Sequence, residues 1–469
     1  MSPLTLGITR GRQAFHHDGM GTAYELITLH AKIFPKTMRF INSEAAIRNA
    51  VFLVRADPII CGHSTEARNL AEAAVAMGME NVHIVSYPLD TLKESQLPLK
   101  PLDTISPYSP GISIDRPRPM GNYKVLDGRL SLGIGGHLVD LMHKLPGRTM
   151  LMDLYLVPHG LMVMQAVNSF RRSGAGSSVF TVGEAVGSDI TNVVGNALAE
   201  GRTGAAQILL SNYLEHDHPV AVSRFTKDLI IDAGRQVDDA LGTAFTGQLE
   251  SRVGISYPAI DTTAYIDIEK NSGTVDSILE ERGLKRDGYV MFLSRIAPAK
   301  GVDDLIAAWK DCKLRGKKKL IICGNGPAKD KIRKMAAEFG DVMVFDNVSD
   351  SEKGALMHGC FAWCLPSKPK TEFVETFGIA VAEKMLAGGL GPVITTRTGG
   401  IPEASGGHCL EHVAGDVDGL RSCLDQVAEM SLDDRVKLSA DARHFARRFD
   451  RSEIFGALLD RAVSRIEAA

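Results

Sequence analysis

From Tyr289 onward the chain alternates short apolar runs rich in Val, Ile and Phe with longer segments whose apolar residues recur at helical spacing. Such a pattern folds as parallel strands buried in one sheet and joined by crossover helices on both faces, a doubly wound α/β domain. Strands are expected to begin near Tyr289, Lys318, Val342, Phe361 and Gly391. The helices between them should begin near Gly301, Ala328, Ser351 and Gly378, each just after a Gly- or Pro-containing turn. The first half repeats the theme less cleanly. Strands are expected at residues 4–10, 38–42, 58–62, 82–87 and 219–223, with helices at 22–33 and 66–77. Between residues 89 and 217 the alternation breaks into Pro-rich coil, a hairpin around Asp127-Gly128 and mixed helical stretches.

At 469 residues the chain exceeds what one hydrophobic core supports and suits two domains. We expect an N-terminal Rossmann-like domain over 1–272 with an insert at about 90–215, and a ligand-binding domain over 273–447. A last helix at 448–469 should pack back on the first domain. Two such sheets facing one another leave a cleft at the carboxyl ends of their strands, where open α/β sheets bind ligands.

Composition excludes several classes. A hydrophobic fraction of 44% with 23% charged residues is that of an ordinary soluble globular protein. The net charge of −3 and a single short basic run at 313–319 offer nothing for nucleic acid. The seven cysteines are odd in number and sit mostly in apolar stretches, the usage of reduced thiols in the cytoplasm. Cys360 and Cys364 have no His or Cys cluster beside them to suggest zinc. Residues 1–12 lack the pattern of a secretory leader. The longest apolar stretch, 150–167, is interrupted by Asp153, Pro158 and His159, so no transmembrane segment is expected.

The chemistry concentrates in the second half. The string Glu375-Thr-Phe-Gly-Ile-Ala-Val-Ala-Glu383 runs from a polar loop into a helix starting near Gly378. Free amides and the macrodipole make a helix N-terminus at a cleft an anion site. Carboxylates on either side of a diphosphate there can accept hydrogen bonds from two polyols at once, the layout of a nucleotide-sugar. Arg295 and Lys300 lie in Leu293-Ser-Arg-Ile-Ala-Pro-Ala-Lys-Gly301, a strand-end loop placed to neutralise a departing diphosphate. Read singly, each feature is equally a solvated loop charge. The loop Gly324-Asn-Gly326-Pro lacks the third glycine of a dinucleotide fingerprint, with Lys329 in its place, and reads as a tight turn beneath the donor. Asp416-Val-Asp418 has the spacing of a chelating pair but opens a helix and reads as a cap.

Taken together, these residues resemble the retaining glycosyltransferases of family four. The resemblance rests on Arg295 with Lys300-Gly301, Cys323-Gly-Asn-Gly-Pro327, Leu365-Pro-Ser367, Glu375 through Glu383 with seven residues between, and Gly399-Gly-Ile-Pro-Glu403. It extends more loosely to Asp18-Gly-Met-Gly21, residues 57–64, Ala221-Val-Ser223 and Ala259-Ile-Asp261. It implies a GT-B fold, two facing Rossmann-like doubly wound domains with a donor cleft between them. It also implies transfer with retention from a UDP- or GDP-linked sugar, metal-independent and without a cofactor. By that resemblance Arg295 and Lys300 bind the diphosphate, Glu375 the sugar hydroxyls and Glu383 the ribose. The amides of Phe377, Gly378 and Ile379 cradle phosphates and sugar, and Gly19 and Gly21 close from the other domain.

Family members often carry a His at the end of the strand that here reads 82–88, where Tyr87-Pro88 stand instead. His159, in Leu156-Val-Pro-His-Gly160, is the first substitute and His63 the second, although a lone His after an apolar run is more often structural. A nucleotide-sugar epimerase of the same fold, or a catalytically silent binding or scaffold protein, would use the same cleft. The lack of a basic amphipathic helix favours a soluble acceptor. Oligomeric state, including a homo-oligomer, is left open.

Overall fold

A computed structural model describes residues 46–55, 62–95, 99, 105–122, 124–174, 179–370 and 373–468. The strands expected at 4–10 and 38–42, the helix at 22–33, and Gly19, Gly21 and Cys61 lie outside the described residues.

The first domain is a seven-stranded parallel sheet in the order β3-β2-β1-β4-β5-β6-β7. Its strands are β1 (Ile47–Leu53), β2 (Asn81–Val85), β3 (Ile112–Asp115), β4 (Arg148–Leu154), β5 (Val179–Ala185), β6 (His218–Ala221) and β7 (Gly254–Ile255). The helices that matter below are α1 (Gly62–Ala76), α2 (Leu126–Lys144) and α3 (Arg224–Leu241). Ser223 caps α3 by accepting the Thr226 amide, so the chain leaves β6 and turns directly into a helix.

The second sheet has six parallel strands in the order β10-β9-β8-β11-β12-β13. These are β8 (Tyr289–Leu293), β9 (Lys319–Cys323), β10 (Val342–Phe345), β11 (Ala362–Leu365), β12 (Val393–Thr396) and β13 (Leu410–His412). Around them lie α4 (Val302–Trp309), α5 (Asp350–Gly359), α6 (Ile379–Ala387) and α7 (Leu432–Ala446). The observed starts fall within two residues of those expected, because strands covered on both faces must be apolar throughout. Trp309, Trp363, Tyr289 and Phe292 fill the single core of this domain.

The final helix, α8 (Arg451–Glu467), crosses back and buries Phe455, Leu458, Leu459 and Val463 against Phe52 and α1. Leu459→Ala is expected to destabilise the first domain by about 2–5 kcal/mol through the cavity it leaves. An unfolding curve in urea checks this. An unchanged midpoint would mean that α8 contributes no packing.

The structure corrects the reading of 89–217. The segment supplies β3, β4 and β5, and β4 sits at the centre of the sheet between β1 and β5. The boundary was hidden because β4 passes almost directly into the apolar helix Leu161–Arg172, giving one long apolar run. Asp127-Gly128 forms no hairpin; it lies in the first turn of α2, where Leu130, Ile134, Leu138 and Leu141 recur on one buried face. Gly62, expected to end a strand, opens α1. The described cysteines are free, and all except the half-buried Cys409 are buried.

Candidate functional site: the cleft at the two switch points

In each sheet the strand order reverses at one place, between β1 and β4 in the first and between β8 and β11 in the second. The loops leaving those strands therefore splay apart and open a crevice. The loop after β8 carries Arg295 and Lys300, and the loop after β11 carries Glu375. Topology thus brings together groups 75 residues apart: the Lys300 ammonium donates to Glu375 Oε2 and lies 4.7 Å from the centre of the Phe373 ring. Arg295 on the same loop is exposed.

Backbone packing holds this loop rigid. Gly301 adopts a φ of +67°, and a Cβ there would lie 2.0 Å from the Pro366 carbonyl oxygen. Beneath it the Gly324-Asn-Gly326 turn wraps the Arg295 segment, with the Ile296 amide donating to the Asn325 carbonyl at 2.9 Å and the Ala328 amide to the Ile296 carbonyl at 3.1 Å. The turn expected beneath the donor is therefore the support of the cationic loop.

Gly378 (φ +100°) turns the chain into α6. The Glu375 segment is clamped by Gly399-Gly400: the Gly400 amide donates to the Glu375 carbonyl at 2.8 Å. Glu383 is only 7% exposed, and both Lys353 from α5 and Tyr265 engage its carboxylate. Asp416 Oδ1 accepts the Gly419 amide at 2.9 Å and caps the helix Val417–Glu429. Among the described residues no group of three or more His, Cys, Asp or Glu is arranged to hold a metal ion.

The first domain meets these loops directly. A Cβ on Gly62 would lie 3.2 Å from Ile379 Cδ1, so the start of α1 faces the start of α6. Thr376 Oγ1 donates to the Val186 carbonyl at 2.9 Å, and Ser223 Oγ donates to the Thr376 carbonyl at 2.6 Å. Glu403 reaches across and accepts the Arg224 and Phe225 amides at 2.9 and 3.0 Å. A carboxylate from one domain thereby occupies the N-terminus of α3 in the other.

His159 lies at the end of β4, 2% exposed, with its ring edge-on to Tyr87 at 5.8 Å. Neither ring nitrogen closes a hydrogen bond, although the Leu154 carbonyl lies close. Burial, aided by the positive charges of Arg55 and His63, pushes its pKa down to about 3, so the imidazole is neutral at ordinary pH. His63 directly follows Gly62 and stacks on Tyr155 at 5.7 Å. Tyr155 in turn bonds Ser188, next to the Gly187 that packs on Thr376. Glu184 is fully buried with both oxygens unpaired, and burial together with Glu66, Asp153 and Asp189 raises its pKa well above the carboxylate range.

Sequence reasoning quoted Glu403 and Thr376 within their motifs without assigning either a role, and it read Gly62 as the end of a strand. The available signal was Gly62-His-Ser ahead of a long amphipathic helix, which reads as a helix start. Nothing local distinguishes Thr376 or Glu403, whose partners come from the other domain.

Residues 276–408 match the family described as glycosyl transferases group 1. No curated protein sequence matches the chain. Among solved structures the chain is similar to Anabaena HepE in complex with UDP and glucose, at 15% identity and a TM-score of 0.62, covering 90% of this chain and 100% of that one. It is also similar to sucrose-phosphate synthase from Thermosynechococcus elongatus, at 15% identity and a TM-score of 0.61, covering 90% and 99%. WaaG, a glycosyltransferase involved in lipopolysaccharide biosynthesis, aligns at 15% identity with a TM-score of 0.57, covering 88% and 98%. The fold is GT-B, and the match to glycosyl transferases group 1 falls within its second domain. No helix among the described residues is long and apolar enough to cross a membrane.

Proposed function

We propose that this protein is a retaining glycosyltransferase that takes a hexosyl group from a nucleotide diphosphate-sugar and needs no divalent metal. The observation that carries this reading is the Lys300–Glu375 pair, whose glutamate lies on the loop that leads into α6, a helix whose first residue, Ile379, meets Gly62 at the start of α1. An ammonium has three protons to donate. Lys300 can hold Glu375 with one and meet a diphosphate oxygen with another, while Arg295 supplies a second cation from the same loop. Glu375 is then fixed to accept from sugar hydroxyls, and the amides of Phe377, Gly378 and Ile379 meet phosphates and sugar. Glu383 takes the ribose, oriented by Lys353 and Tyr265. Since Gly62 stands against Ile379, we assign the closing role of a first-domain glycine to it, and the histidine role to neighbouring His63 with His159 buried behind.

In the transfer the bond from the anomeric carbon to the phosphate oxygen breaks as the acceptor oxygen bonds that carbon on the same face. The acceptor's proton passes to the departing phosphate, whose charge Arg295, Lys300 and the helix amides stabilise. The group 1 match supports the activity, and the UDP seen in HepE supports a uridine nucleotide. Asp416 is committed to its helix cap, which favours fixed charge over a chelated cation. A soluble acceptor and a cytoplasmic setting complete the proposal.

The test incubates the protein with UDP-, GDP- and ADP-sugars and follows nucleotide release and thermal stabilisation. One donor should stabilise the protein and release nucleotide, with activity unchanged in EDTA and the product keeping the donor's anomeric configuration by proton NMR. Interconversion of free nucleotide-sugars would establish the epimerase instead. Activity lost in EDTA and restored by magnesium, or an inverted product, would overturn the mechanism.

A further inference from the structure

Side chains along β5 alternate between the two faces of the sheet, and Phe180 and Val182 both pack in the core shared with α1. Glu184 continues that face, and its register partner on β4, Leu154, belongs to the same core. On α1 the buried residues include Glu66, Ala67, Leu70 and Ala74, at the spacing of one helix face. Two carboxyl groups, Glu184 at 0% and Glu66 at 2% exposure, are thus carried inward by elements that pack on one another. Among the described residues neither oxygen of Glu184 finds a hydrogen-bond partner, and Glu66 Oε1 finds none.

Burying two ionised carboxylates side by side costs more than keeping one protonated, and a protonated carboxyl has a hydrogen to donate. The neighbours decide where that hydrogen goes. Asp189 already accepts four amides, from Leu156, Val186, Gly187 and Ile190. Asp153 lies one residue out of phase, in register with Gly183 on the opposite face, and bonds His216 Nε2 at 2.8 Å. Tyr213 gives its hydroxyl proton to the Val220 carbonyl at 2.7 Å. The charges that act on His159 are those of Arg55 and His63. That leaves Glu66 Oε1. Glu66 is also the better carboxylate of the two, since the Ala259 amide and His63 favour its charge, whereas Glu66, Asp153 and Asp189 all oppose charge on Glu184.

We propose that Glu184 is a neutral carboxylic acid that donates its proton to Glu66 Oε1, and that this bond is a positioning contact holding the first turns of α1 on the sheet. Those turns carry Gly62, which meets Ile379, and His63. Asn69 adds a second hold by donating to the Ala259 carbonyl at 2.8 Å. The bond stands apart from any activity, while its effect on turnover rests on the transferase reading above.

The test compares the full chain with Glu184→Gln, Glu184→Leu and Glu66→Gln by infrared difference spectra near pH 8, melting curves and nucleotide release. A protonated-carboxyl stretch should be present in the wild type, lost in Glu184→Gln, and displaced in Glu66→Gln, where a neutral amide replaces the charged acceptor. As pH falls through about 7 a second such band should grow from Glu66 and be missing in Glu66→Gln. Glu184→Gln keeps an N–H donor and should hold Tm, with turnover within about twofold of the wild type. Glu184→Leu offers no donor and should lower Tm by about 5 °C and kcat/KM roughly tenfold. A band that survives Glu184→Gln, or that stays in place in Glu66→Gln, overturns the pair. Equal turnover in the Gln and Leu variants overturns the positioning role. A wild type that turns over no donor would refute the transferase reading, and the infrared bands would still decide the pair.

Discussion

Glu375→Ala is expected to lower kcat at least a hundredfold while leaving the protein folded. The carboxylate stands in the cleft with its side chain 14% exposed, held by Lys300 and by no core residue. Removing it leaves the Lys300 ammonium, only 12% exposed, without its partner, so some stability is lost as well, but the pair lies at the cleft and outside the two cores, so the fold should persist. The cost to reaction is larger, because one fixed polar group aimed at developing charge is worth about 3 kcal/mol, or roughly a hundredfold in rate. Glu375→Gln should recover part of the loss, since the amide oxygen can still accept from a hydroxyl. Steady-state rates beside melting curves decide the matter. Wild-type turnover in the alanine variant would remove Glu375 from the proposed mechanism.

The second large effect should come from a residue that touches no substrate. Gly399 has a φ of +58°, and a Cβ added there would lie 2.0 Å from the Glu375 carbonyl oxygen. The obstacle is backbone, so Gly399→Ala must push the Glu375 loop away by about 1 Å, a misplacement that can cost ~100-fold in rate. The left-handed backbone adds about 1–2 kcal/mol of strain. Gly407→Ala separates the two contributions: its φ is +79° with nothing within 4 Å of the added Cβ. It should lower stability by a similar strain while keeping activity. If Gly399→Ala keeps full kcat/KM, or if Gly407→Ala loses as much, the clamp on Glu375 is not what positions that carboxylate.

The two domains were unequally legible. In the second, the first four strands, β8 to β11, are apolar over nearly their whole length and the helices between them follow turn residues, so spacing located them, whereas the short β13, Leu410–His412, offers no such run. The functional loops stood out because Lys300-Gly301, Glu375 and Gly378 fall where a strand ends or a helix begins. In the first domain β5 carries the buried Glu184, and β4 merges into the following apolar stretch, so the central strands looked like an insert. A buried carboxyl is indistinguishable in sequence from a solvated one, because only the surrounding protein decides whether it stays neutral.

The sequence by itself determined the doubly wound character of the second domain, the rigid glycine turns of its loops, and the charged groups offered at the helix and strand ends. These are local properties, set by periodicity and by which backbone angles a residue tolerates. Only the tertiary structure decided that Lys300 pairs with Glu375, that Gly62 faces Ile379, that Glu403 caps α3, and that His159 is buried behind Tyr87 and Tyr155. Each of those depends on strand order at the two switch points and on how one domain meets the other. Such contacts join residues far apart in the chain, and no local spacing encodes their distance.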